Sequence, residues 1–184
     1  MVNDGIKFDG KVFAPDEIDK LPITGMGEHT INDHLYFAGE QTPLSNLFPC
    51  EIKIDEANYN SVEQFYQHRK CLSKGNSDIA GKVMQAKSPR EAMLVGKAVK
   101  VEEGWCRTNG KALLLKALRV KLEQVQSFKD TLKKNKSLKF VEATLHPLYG
   151  MGHNMGEVRK KDEMLQWKGE NIMGELITSL TEEL

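Results

Sequence analysis

The chain has 184 residues, 40% of them hydrophobic, and its 26 Lys plus Arg balance 26 Asp plus Glu to a formal net charge of zero. That length buries a core as one domain, and the balance excludes a global field that would attract nucleic acid or membrane, so any anion site has to be local. Cys50, Cys71 and Cys106 lack C-x-x-C spacing, which excludes a disulfide framework and a zinc cage; the start of the chain has no signal-peptide pattern and no apolar run reaches membrane length, so a cytoplasmic protein without a membrane partner is expected.

Ile6, Phe8 and Val12 flank Asp9-Gly10, a two-residue hairpin signal. Periodicity then fades from Ala14 to Asn32 among Pro15, Pro22, Gly25 and Gly27, which reads as a loop or arm. Residues 1–35 are thus an N-terminal extension, and 36–184 the main domain. Tyr36-Phe37 ends a short strand, and Glu51 to Asp55 alternates with period two as a half-buried strand.

Ser61 opens a helix as N-cap, and Gln64 completes a capping box. Val62, Phe65 and Tyr66 form its apolar stripe, while Glu63, Gln67 and Lys70 recur at i, i+4 and i+7 on a neighbouring face. A carboxylate in the first turn feels the helix dipole, which favours its charged form. Further helices are expected over Asp78–Lys87, Pro89–Lys100, Gly110–Gln124 and Ser127–Lys134, with Trp105 in a loop before the third of these.

Leu138 to Thr144 reads as a second core strand. The stretch after it, His146-Pro147-Leu148-Tyr149-Gly150-Met151-Gly152-His153-Asn154-Met155-Gly156, has glycines that do not fit a dinucleotide fingerprint. Two readings stay open: a plain flexible loop, or backbone amides that meet an anion with help from Arg159, Lys160 and Lys161. Asn171 to Leu184 closes the chain as a helix. The histidines show no paired metal-ligand spacing, and neither metal nor redox cofactor is expected. Short strands among several helices make this an α+β class, a mainly helical single domain with a small sheet.

Several of these stretches, in order, resemble the NADAR family, which includes N-glycosidases of the YbiA type. They are Leu44-Ser45-Asn46-Leu47; the helix Ser61-x-Glu63-x-x-Tyr66-Gln67-x-x-Lys70; the Trp105 loop; Ala117 to Leu122; Leu138 to Glu142; the glycine-rich turn; and Gly169-x-Asn171-x-x-Gly174. The family's turn is usually Asp-x-x-Trp-Gly-x-Gly. Here His146 stands for the aspartate and Tyr149 for the tryptophan.

The resemblance implies a YbiA-like fold and hydrolysis of a ribose C–N bond. The substrate would be a small-molecule riboside, such as a riboflavin-pathway ribosylamino-pyrimidine phosphate, or an ADP-ribosylated nucleic acid carrying ADP-ribosyl-guanine. Such a bond breaks through an oxocarbenium-like state and needs a carboxylate near the sugar. Glu63 is expected to supply it, Lys70 to hold a phosphate or the leaving base, and His146 to donate the proton. Ser45, Asn46, Gln67, Gly150, Gly152 and Asn171 are expected to bind substrate, with Trp105 and Tyr149 sandwiching a ring. Loss of the usual aspartate leaves a second reading, a non-catalytic module that binds ADP-ribose or a nucleotide.

Overall fold

The computed structural model describes residues 27–184 throughout and, before them, the backbone of residues 6–8 and 11–13. Strands β1 (Ile6–Phe8) and β2 (Lys11–Phe13) pair antiparallel, in the register that the Asp9-Gly10 turn predicts. Most of the expected loop 14–32, residues 14–26, lies outside the described residues.

The sheet that carries the domain has the order β3 (Gly27–Ile31), β4 (His34–Ala38) and β7 (Lys139–Glu142). β3 runs antiparallel to β4 through a turn at Asn32, whose φ is 53°, and β7 runs parallel to β4. Strand β3 lies inside the predicted loop because its Glu28, His29 and Thr30 carry no apolar alternation to betray it. A small hairpin, β5 (Ile52–Ile54) with β6 (Ala57–Tyr59), turns at Asp55 and Glu56, both in the left-handed region. Its second strand falls where the sequence predicts only a turn.

Between β4 and β7 the chain forms α1 (Val62–Ser73), α2 (Ser77–Gln85), α3 (Pro89–Gly96), the short α4 (Glu103–Trp105), α5 (Lys111–Gln124) and α6 (Gln126–Lys134). Caps place the starts: Ser61 Oγ accepts from Gln64 N, Asn76 from Ile79 N and Ser88 from Glu91 N. Trp105 sits in a helical turn, not a loop, and a π-turn over Cys106–Gly110 carries that turn into α5. After β7 come α7 (Met155–Lys161), capped by a full box between Asn154 and Glu157, and α8 (Ile172–Leu180). The architecture is α+β and mainly helical, with a small sheet.

The sheet is buried on both faces. Leu35, Phe37 and Phe140 face the main core with Phe65, Leu114, Leu118 and Ile177 of α1, α5 and α8. Tyr36, Ala38 and Val141 face the other way, onto Met151, Met155 and Val158. Burying the larger cluster supplies the main driving force, at about 25 cal/mol per Å² of apolar surface removed from water. Lys121 of α5 is fully buried within it. Its Nζ donates to Ser45 O at 2.8 Å and lies 4.9 Å from the Phe128 ring centre and 5.5 Å from that of Phe48. Desolvation lowers its pKa to about 8. This lysine ties α5 to the loop that precedes α1.

Candidate active site

The first turn of α1 is held from outside the helix. Asn46 O accepts from Glu63 N at 3.1 Å, and Ser45 Oγ accepts from Leu47 N at 3.1 Å, closing the turn that presents that carbonyl. Ser45 and Asn46 are buried, and Asn46 Oδ1 has no hydrogen-bond partner among the described residues.

On α1, Gln67 Nε2 donates to Glu63 Oε1 at 2.7 Å. The polar line Glu63, Gln67, Lys70 is not a solvated face: Gln67 and Lys70 are only 5% and 6% exposed. Gln67 fits there because Gly96 of α3 has no side chain; a Cβ at Gly96 would come 2.2 Å from Gln67 Oε1. Desolvation raises the Glu63 pKa against the Gln67 hydrogen bond and the Lys70 and Lys97 charges, which lower it. The expected bias of the helix dipole toward the ionised form therefore loses to burial. Desolvation likewise lowers the pKa of Lys70. Among the described residues no group of three or more His, Cys, Asp or Glu is arranged to hold a metal ion.

Three aromatic rings pack beside this line. Tyr66 meets Trp105 at 6.1 Å and Tyr149 at 5.8 Å, both edge-to-face, and the Tyr66 and Tyr149 hydroxyls share a 2.8 Å hydrogen bond. Tyr149 Oη also donates to Cys106 O at 3.3 Å. Trp105 and Tyr149 each pack against Tyr66. Gly110 lets the rings close, since a Cβ there would meet the Tyr149 hydroxyl at 2.2 Å.

His146 lies against Tyr149, the two rings stacked at 4.7 Å. Its Nδ1 accepts from Leu148 N at 3.2 Å and Tyr149 N at 3.1 Å, which leaves the ring proton on Nε2. Desolvation and the Lys97 charge lower its pKa. A carboxylate at this position would accept the same two amides, so the histidine replaces an acceptor with an acceptor. The proton-donor role expected for His146 does not fit. A neutral imidazole with its Nδ1 committed to two amides has no acidic proton to give.

A family model for the NADAR domain matches residues 36–184. The chain belongs to the NADAR family. It is 25% identical over 181 residues to protein irg-1 of Caenorhabditis elegans, which covers 95% of this chain and 84% of that protein. The NMR structure of the E. coli protein YbiA matches with a TM-score of 0.62 at 25% identity, over 84% of this chain and 87% of that one.

In this NADAR chain three successive amides of the glycine-rich turn are already committed within the fold. Gly150 N donates to His146 O, Met151 N to Glu142 O and Gly152 N to Thr144 O. A Cβ at Gly150 would meet Thr144 Oγ1 at 2.1 Å, and one at Gly152 would meet Gly169 N at 2.9 Å. These glycines permit close backbone packing. Asn171 is also committed: Oδ1 accepts from Glu142 N at 2.9 Å and Nδ2 donates to Phe140 O at 3.1 Å. It clips α8 to the edge of β7.

Sequence reasoning missed two charged groups of this NADAR site. Lys97, the exposed C-cap of α3, acts on both Glu63 and His146. Glu142 ends β7, and Glu63 is its charged neighbour. Period-two alternation after the core residues Phe140 and Val141 was the available signal for Glu142; nothing in the sequence marks Lys97.

Proposed function

We propose that this protein is an N-glycosidase that hydrolyses the ribose C–N bond of a phosphorylated or ADP-ribosylated riboside. The observation that carries the reading is Glu63: a desolvated carboxylate held at one oxygen by Gln67, with the Lys70 and Lys97 charges close to it. As the bond from C1′ to the base nitrogen breaks, positive charge develops on the ribose, and the Glu63 carboxylate stabilises it in a site where water competes poorly. The same carboxylate takes a proton from the water that attacks C1′. A raised pKa suits a base working near neutral pH. Exposed Lys97 is assigned to a phosphate, and buried Lys70 supplies a second positive charge that acts on Glu63. Family membership supports the assignment, and hydrolysis needs no co-substrate beyond water.

The test compares wild type with Glu63→Gln on ADP-ribosylated guanine in DNA and on a ribosylamino-pyrimidine phosphate, with free base followed by chromatography. Wild type is expected to release base from one of them, and Glu63→Gln to lose about 10²–10⁴-fold in rate. Binding of either compound with no release by wild type supports the nucleotide-binding module instead.

A further inference from the structure

Cleavage of a ribose C–N bond leaves an electron pair on the base nitrogen, and His146 is not built to protonate it. Resting on the glycosidase reading, we propose that Glu142 is the acid that delivers this proton, working opposite Glu63.

The sheet register aims it. Glu142 is the last residue of β7 and the Cα partner of Phe37 on the parallel strand β4. Alternation puts its side chain on the face shared by Phe140 and Phe37, the face onto which α1 packs, and not on the Val141 face. Ligands of parallel strands gather beyond the carboxyl ends, which is where Glu142 stands. Its backbone is fixed at three points: Asn171 Oδ1 accepts from its N–H, and its carbonyl accepts from Met151 N and Thr144 N. An acid that must meet a leaving atom needs this kind of fixed origin.

The two carboxyl groups have unequal surroundings. Glu63 has the Gln67 amide, Lys70 and Lys97 to favour its charge. The groups acting on Glu142 are the Glu63 charge, which opposes ionisation, and the hydroxyl of Thr144. Thr144 Oγ1 is buried with no other partner among the described residues, and its hydroxyl works on Glu142 in the opposite direction, lowering the pKa, but it is outweighed. Burial and Glu63 raise the Glu142 pKa to about 8. Two carboxyls whose surroundings push their proton affinities apart divide into an acid and a base.

In the step, the C1′–N bond breaks and its electron pair stays on nitrogen, which takes the proton from Glu142. The water oxygen bonds to C1′, and the water's proton goes to Glu63. Transfer of that proton to Glu142, directly or through solvent, restores both groups for the next turnover.

The experiment uses the full chain and two classes of riboside. One carries a base that must be protonated to leave, the substrate of the glycosidase test. The other is a phosphorylated nicotinamide riboside, whose pyridinium departs as a neutral molecule without a proton. Glu142→Gln, which keeps the shape, is expected to slow the first by about 10²-fold or more and the second by less than about 10-fold; Glu63→Gln should slow both. For the first substrate, kcat/KM of wild type should fall above about pH 8 as Glu142 loses its proton, and Glu142→Gln should lack that alkaline limb. Equal losses on both substrates, or an alkaline limb unchanged in Glu142→Gln, overturn the assignment and leave the glycosidase reading standing. Absence of base release by wild type removes both.

Discussion

Glu63 sits in the first turn of a helix, where two effects act on its proton in opposite directions. The helix dipole and the nearby lysines favour the charged form, and burial disfavours it; the net direction is upward. At His146 desolvation and the Lys97 charge act together to lower the pKa, and the neutral ring keeps two amide bonds at Nδ1. Its pKa is lowered on folding, so its stabilising contribution is complete above the unfolded value of about 6.5 and fades as pH falls through the folded one. His146→Asn keeps an acceptor there and removes the titration. We therefore expect the melting temperature of wild type to drop more than that of His146→Asn between pH 7.5 and pH 5, measured by thermal denaturation. Equal drops would show that His146 does not hold the turn.

At the scale of elements, the site exists because α3 packs close enough to α1 to trap Gln67. Gly96→Ala puts a methyl group 2.2 Å from Gln67 Oε1 and 2.7 Å from its Cβ. The amide has to leave Glu63, at a stability cost of about 1–3 kcal/mol for the overpacking. The expected outcome is a folded protein with a lower melting temperature and a reduced kcat; a kcat equal to wild type would exclude Gln67 as the group that positions Glu63. The helices were legible in the sequence where a cap and a stripe coincide, as at Ser61 with Phe65 and at Ser88 with Pro89. β3 was not, because Glu28 and Thr30 give it no apolar alternation, and β6 was hidden by non-glycine residues in a turn that glycine or asparagine usually takes. Within the site, helical spacing brought Glu63, Gln67 and Lys70 together. Lys97 and Glu142 arrive through the packing of α3 and the register of β7, which no local pattern encodes.

For the molecule as a whole, the parallel pairing of β4 with β7 brings the two ends of the chain's helical stretch together and seats Glu142 on the face where α1 carries Glu63. The pairing costs stability at a definite pH. Glu142 has its pKa raised to about 8 on folding, so its contribution is complete below the unfolded value of about 4.3 and is lost as pH rises through 8. Glu142→Gln removes that loss. Its melting temperature is expected to exceed that of wild type at pH 8.5 and to match it near pH 4; a lower value at pH 8.5 would mean that the carboxylate is charged and stabilised in the native state. This is the trade seen when ionisable groups are buried for chemistry rather than for stability.

The most direct test of that chemistry is mass spectrometry of the products formed by wild type in ¹⁸O-labelled water, with an ADP-ribosylated guanine or a ribosylamino-pyrimidine phosphate as substrate. Free base without label is expected, because the water that Glu63 activates attacks C1′ and not the base; the C1′ oxygen of the released sugar exchanges with solvent through its open-chain form. Base that stays attached to ribose in both substrates, or released base that carries ¹⁸O, would contradict that chemistry.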